Sequence, residues 1–188
     1  MKASRSAASS ASEARAGRKA MKTLLLLRHA KAGVGAPDRD RGLTGRGRRQ
    51  SAAAGRYLAA EGLLPDFVIC SDARRTRETL DGLALGADPA VQFAPELYDG
   101  HVPDLLDLVR GIEDAGVSRV LVIGHNPTIS DAGRWLAREG DPAALSRLGL
   151  GMPTSGLAVL KFEAADWRAV GAGALTRLLR PADYPGAD

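Results

Sequence analysis

No long apolar run interrupts this 188-residue sequence. The run Leu24–Leu27 is far short of the roughly 18–20 apolar residues that cross a bilayer. It is also shorter than the about 7–15 residues of a signal-peptide core, and no small-residue cleavage site follows it. Neither a membrane partner nor secretion is expected, and a cytoplasmic location is. Cysteine is nearly absent: Cys70 stands alone, which rules out an internal disulfide and suits a reducing compartment. Net charge is missing from most of the chain. Residues 1–20 hold Lys2, Arg5, Arg15, Arg18 and Lys19 against Glu13, and this excess equals the whole net charge of +4. Residues 21–188 are therefore neutral in sum, so the high pI is no argument for nucleic-acid binding by the folded body.

The same first 20 residues are rich in Ala, Ser and Arg and contain no large apolar residue after Met1. They cannot bury enough surface to offset the entropy of ordering, so residues 1–20 are expected to be a disordered basic tail and 21–188 a single domain. A transit peptide is the other reading of that composition.

Within 21–188, strand-like and helix-like stretches alternate. Thr23–Leu27, Asp66–Cys70 and Arg119–Ile123 read as buried strands, and 156–162 and 174–180 as two closing ones. Helices are expected from Gly45 to Glu61 behind an N-cap at Thr44, from Arg74 to Leu83, opening at Leu105, and from Pro127 to Ala137. This order implies an α/β fold, a three-layer α/β/α sandwich around a mainly parallel central sheet.

Three polar clusters follow the three buried strands directly: Arg28-His29-Ala30-Lys31, then Ser71 with Arg74, Arg75 and Arg77, then Gly124-His125-Asn126-Pro127. Open parallel sheets bind ligands beyond the carboxyl ends of their strands. An arginine at a strand end is usually a solvated flank, and a lone histidine usually a structural hydrogen-bonder. Gathered at one sheet edge, the clusters supply two imidazoles and at least two guanidinium groups. Guanidinium forks grip phosphate oxygens, a neutral imidazole can attack phosphorus, and a second, protonated imidazole can stabilise the developing charge. The backbone N–H of Asn126, at a turn into a helix, could face an anion. With this much positive charge no metal or other cofactor is required. Cys70 is a poor competitor as nucleophile, because the C-x5-R spacing of cysteine phosphatases places Thr76 where arginine should stand.

Leu27-Arg28-His29-Ala30 resembles the "RHG/RHA" signature of the histidine phosphatase superfamily. Asp40-Arg-Gly-Leu-Thr44 with Gly47 and Gln50 resembles "DxxRPLTxxGxxQ" of its short phosphohistidine-phosphatase branch. Pro65–Ser71 with Arg75 and Thr79 resembles "PDxVLxSPxxRxxQT", and Val122–Pro127 resembles "LVGHNP". Pro153–Ala158 and Trp167 resemble that branch's closing segment. The likeness runs from about Thr23 to Pro181. It implies a phosphoglycerate-mutase-like fold and a phosphatase in which His29 becomes phosphorylated. Arg28 and Arg75 would bind the phosphoryl group, with His125 as the second histidine. Arg74 and Arg77 would then be solvated helix charges. Gly42 and Asp72 depart from the branch, which has proline at both places, and Glu78 replaces a glutamine.

Larger family members use a carboxylate acid between the second and third strands. Glu96 is the nearest candidate here, with a surface charge before a helix as the alternative reading; Asp99 and His101 come after it. An alkyl phosphate needs such an acid, whereas phosphohistidine leaves as neutral imidazole. The gaps of about 45 and about 50 residues between His29, Arg75 and His125 leave no room for a large cap. The expected substrate is therefore phosphohistidine in a protein. A small phosphorylated metabolite is the alternative, and a silent phosphoprotein-binding module the reading from another class.

Overall fold

Four consecutive leucines with no polar alternation can form a strand only where both faces are covered. The computed structural model, which describes residues 20–35, 37–86 and 88–186, shows that arrangement. Strand β1 (Met21–Arg28) is followed by β2 (Phe67–Cys70), β3 (Ala90–Phe93), β4 (Arg119–Gly124), β5 (Ala137–Gly140), β6 (Leu157–Glu163) and β7 (Gly173–Leu179). They form one seven-stranded sheet in the order β3-β2-β4-β1-β6-β7-β5, with β1 at its centre. The β3-β2-β4-β1 half is parallel throughout, as is the β5-β7 pair, while β6 runs antiparallel to both of its neighbours.

Five helices cover the sheet: α1 (Gly45–Ala60), α2 (Arg74–Leu83), α3 (Val102–Arg110), α4 (Thr128–Leu136) and α5 (Pro142–Gly149). Leu25, Leu27, Leu121 and Ile123 face one side, with Ala53 and Leu58 of α1 and Leu83 of α2. Leu24, Leu26, Val120 and Val122 face the other, with Leu105 of α3, Ile129 of α4 and Leu148 of α5. The result is the expected three-layer α/β/α sandwich. The Thr44 hydroxyl accepts a hydrogen bond from the Gly47 amide at 3.0 Å, which caps α1 as anticipated. Helix α1 touches α2 through Gly55, where a Cβ would lie 1.8 Å from the Leu83 carbonyl oxygen; only glycine permits so close an approach.

The structure adds β3, β5 and α5 to the expected elements and starts α3 three residues earlier, at Val102. The tail expected over residues 1–20 falls, apart from Ala20, outside the described residues. Among the described residues no helix is long and apolar enough to cross a membrane.

Candidate active site

The parallel register of β1 and β4 pairs Arg28 with Gly124, so the residues that follow, His29 and His125, emerge side by side at the carboxyl edge of the sheet. The His29 amide donates to the Gly124 carbonyl at 3.0 Å. On the other side, the Ser155 amide donates to the carbonyl oxygens of Arg28 and His29, at 3.1 and 3.0 Å. The backbone under His29 is thus held from both flanks, and the two imidazole centroids lie 5.1 Å apart.

Each ring has its tautomer set by a neighbour. His29 Nδ1 lies 2.8 Å from the Ala30 carbonyl oxygen, which can only accept, so Nδ1 carries the proton and the Nε2 lone pair is left free. His125 Nδ1 lies 3.2 Å from the Arg75 Nη2, which can only donate. His125 Nε2 therefore carries the hydrogen and faces the Ser71 hydroxyl at 3.0 Å. Both rings are buried, and burial lowers the pKa of His29 to about 4, with Arg75 and Arg28 pushing the same way. Burial likewise lowers His125 to about 3, with His29 and Arg75 adding to the effect. Both imidazoles are neutral near pH 7.

The arginines arrive from two directions. Arg28, the last residue of β1, donates from Nη1 to the Met152 carbonyl at 2.8 Å. Arg75 sits in the first turn of α2, 5% exposed, while its neighbours Arg74 and Arg77 are exposed as anticipated. Arg74 pairs with Glu78 at 2.6 Å, and Arg77 lies over the Phe93 ring. Thr79, one turn beyond Arg75, accepts from the Ala30 amide at 3.0 Å and ties α2 to the loop that carries His29. The Nε–H groups of Arg28 and Arg75 are both buried without a hydrogen-bond partner. Buried donors of this kind are rare in folded proteins and point to an anionic ligand.

Asp38 and Tyr98 also belong to this cluster, and the sequence reading missed both. Arg75 Nη1 donates to the Asp38 carbonyl at 2.8 Å, and Arg75 Nη2 lies 3.1 Å from Asp38 Oδ2. Tyr98 donates its phenolic hydrogen to Asp38 Oδ2 at 2.6 Å, and its ring meets His125 edge-on at 5.4 Å. The Tyr98 hydroxyl, then Arg41 and Arg75, hold the Asp38 carboxyl at about 2. Asp40 was matched to the motif aspartate from sequence, but the three-residue D-to-R spacing of that motif is met by Asp38 and Arg41. That spacing was the available signal. Asp72, the other unexpected charge, is paired with Arg39 at 2.5 Å.

Glu96 is not brought to this cluster. It lies on the short 3-10 turn Pro95–Leu97, exposed, and lines a groove between β3 and α3 together with Gln92, Asp104 and Asp107. Neither histidine and neither arginine lines that groove. Asp99 and His101 are likewise exposed, and the His101 amide bonds Asp104 at the start of α3. The Asn126 side chain bonds the Met152 carbonyl at 2.9 Å and the Ser130 hydroxyl at 2.7 Å, so it braces the loop that holds Arg28. Cys70 is fully buried, and burial pushes its thiol up to about 12, as expected of a strand residue rather than a nucleophile. Among the described residues, no three His, Cys, Asp or Glu side chains are grouped as metal ligands.

The fold and this cluster agree with what the chain resembles. Residues 24–108 match the family model of the histidine phosphatase superfamily (branch 1). An uncharacterized protein of Mycobacterium tuberculosis is 36% identical over 151 residues, which are 78% of this chain and 93% of that protein. Among solved structures, a provisionally assigned phosphohistidine phosphatase SixA of Nakamurella multipartitia is 36% identical with a TM-score of 0.76, over 86% of this chain and 96% of its own. A second such SixA, from Agrobacterium tumefaciens, is 29% identical with a TM-score of 0.71, over 85% and 98%. The chain belongs to the histidine phosphatase superfamily. It is a histidine-type phosphatase with the phosphoglycerate-mutase-like architecture of that group.

Proposed function

We propose that this enzyme removes phosphoryl groups from phosphohistidine in proteins, through a covalent intermediate on His29. The observation that carries the reading is the state of His29: a neutral ring, Nδ1 tied to the Ala30 carbonyl, Nε2 free, 5.1 Å from the second imidazole. In the first half-reaction the Nε2 lone pair attacks phosphorus. The P–N bond to the substrate imidazole breaks, and that ring keeps the bonding pair. In the second half a water oxygen attacks phosphorus and the electron pair returns to Nε2. Inorganic phosphate leaves, and one proton from the water passes to solvent. Arg28 and Arg75 take the phosphoryl oxygens and offset their charge throughout. An arriving dianion raises the proton affinity of His125, which donates to it once the ring exchanges its contact with Arg75 or Ser71 for one with a phosphoryl oxygen.

The substrate class follows from what stands beside the two histidines. Among the described residues, the carboxylate that touches this cluster is Asp38, and a carboxyl held at about 2 is a poor proton donor near neutrality. Alkoxide leaving groups depend on a proton donor. A phosphohistidine leaving ring, protonated on its other nitrogen, does not. The SixA relatives carry the same assignment, which supports the reading. A small phosphorylated metabolite is the alternative substrate.

The test is to trap the phosphoenzyme. It should be alkali-stable and acid-labile, absent in His29→Ala and present in His101→Ala. Turnover should rank a phosphohistidine protein far above a phosphoserine peptide and simple sugar phosphates. A His29→Ala enzyme that works at near wild-type rate would show that another group is the nucleophile.

A further inference from the structure

A second cavity, of about 400 Å³, is walled by Lys31, Arg46, Gln50, Pro153, Thr154 and Arg180. It is built on the same chain segments as the phosphoryl site. Lys31 is two residues past His29. Thr154 precedes Ser155, whose amide is bonded to the carbonyl oxygens of Arg28 and His29. Arg46 and Gln50 are one turn apart on α1, whose N-cap Thr44 is hydrogen-bonded to the Lys31 carbonyl at 3.0 Å.

Among the described residues the walls hold three basic side chains and no acidic one. Arg180 lies 3.5 Å from Asp183, but among the described residues neither Lys31 nor Arg46 has an ion-pair partner. Gln50 is the independent sign of a ligand. It is 3% exposed, yet its Oε1 is buried without a hydrogen-bond partner. Packing alone would be better served by an apolar side chain, since a buried amide oxygen left unpaired is costly. The last torsion of a glutamine is soft, so this amide can turn its oxygen to an N–H or O–H donor, or its N–H to an anion. None of these side chains is used to hold the phosphoryl group in the chemistry derived above.

We propose that this cavity is a second anion site, which receives a carboxylate or phosphate on the same substrate that presents its phosphoryl group to His29. The proposal rests on the phosphatase reading for the first site and adds a specificity rule to it: the favoured substrate carries two anionic groups, not one. An acidic side chain next to the phosphorylated residue and a second phosphate on a small metabolite both meet that chemistry.

The decisive probes are straight-chain alkane bisphosphonates of increasing length, each compared with the alkyl monophosphonate of the same length. They are not hydrolysed, so binding measured by calorimetry is independent of the covalent route. At one length or more, the wild-type protein should bind the bisphosphonate about 10-fold or more tightly, the worth of one charge-assisted contact. Lys31→Ala, Arg46→Ala and Gln50→Leu should each cut that ratio severalfold. Equal affinities for the two series on the wild-type protein overturn the proposal, as does an advantage that survives the Lys31→Ala/Arg46→Ala double variant. Turnover then separates the sources. Phosphohistidine peptides with flanking Glu are compared with the same peptides bearing Gln, and sugar bisphosphates with monophosphates. The pair in which the second anion lowers KM names the source, and no gain in either pair overturns the proposal. Loss of the trapped phosphoenzyme, by contrast, would overturn the His29 reading alone and leave the phosphonate result standing.

Discussion

A guanidinium that is to hold a phosphate competes with any carboxylate already bonded to it, and in the proposed site Arg75 is shared between those roles. Asp38 places a negative charge 3.1 Å from Arg75 Nη2, on a side chain that is itself half exposed. Asp38→Asn keeps an acceptor for the Tyr98 hydroxyl and leaves the backbone bond to Arg75 in place, while removing that charge. Inorganic phosphate should then inhibit roughly threefold to tenfold more tightly at low salt, with the difference shrinking at high salt. A looser inhibition constant instead would mean that Asp38 serves mainly to position Arg75. Glu96 gives the opposite expectation. Because it lines a different groove, Glu96→Gln should change kcat/KM by less than about twofold for phosphohistidine and for alkyl esters alike, well below the 10²–10⁴-fold at stake in losing a general acid. A large loss confined to esters would restore Glu96 as the proton donor.

Elements fix these side chains through contacts between helices as much as through the sheet. The 1.8 Å clearance at Gly55 means that Gly55→Ala must push α1 away from α2, which carries Arg75. Overpacking of this kind costs about 1–3 kcal/mol, so the melting temperature should fall clearly and phosphate affinity should weaken with it. Thr44→Ala, which only uncaps α1, should cost about 1 kcal/mol. The elements that were legible in the sequence are those with one-sided physical signals: both-face burial in β1, β2 and β4, and a capping hydroxyl before α1. Strand β3 was not, because Ala90–Phe93 is an exposed edge with no alternation to read. Strand β5, Ala137–Gly140, follows α4 without a break and among the described residues pairs only with β7, so its sequence gives no turn signal. In the site, the residues next to strand ends were legible because register places them. Asp38 was legible only through the D-to-R spacing of the family motif, and Tyr98 not at all, since both reach Arg75 and His125 from separate loops whose courses depend on tertiary packing.

At the scale of the whole molecule, two neutral buried imidazoles make stability depend on pH. Both have folded-state values, about 4 and about 3, below the unfolded value near 6.5. The unfolded chain therefore binds more protons between those limits, and stability must fall as pH drops from about 6.5 toward 4. Thermal melts at pH 7 and pH 5 should show this, and the drop should be smaller in His125→Asn. Asp38, held at about 2 when folded against an ordinary carboxylate value when unfolded, adds to the loss only below about pH 5, so it is not the cause of a drop between pH 7 and pH 5. Added phosphate should oppose the drop by binding the folded state. The central position of β1 has a further consequence. Strands with a partner on each side and helices over both faces exchange their amide hydrogens only when the entire domain opens. The His29 amide, bonded to Gly124 and one residue beyond this strand, is expected to exchange with that slowest class. The proposed nucleophile is thus carried by the most cooperative part of the chain rather than by a fraying loop. In urea, activity and backbone signal should disappear at the same concentration, with no interval in which a folded protein has already lost its phosphoryl acceptor.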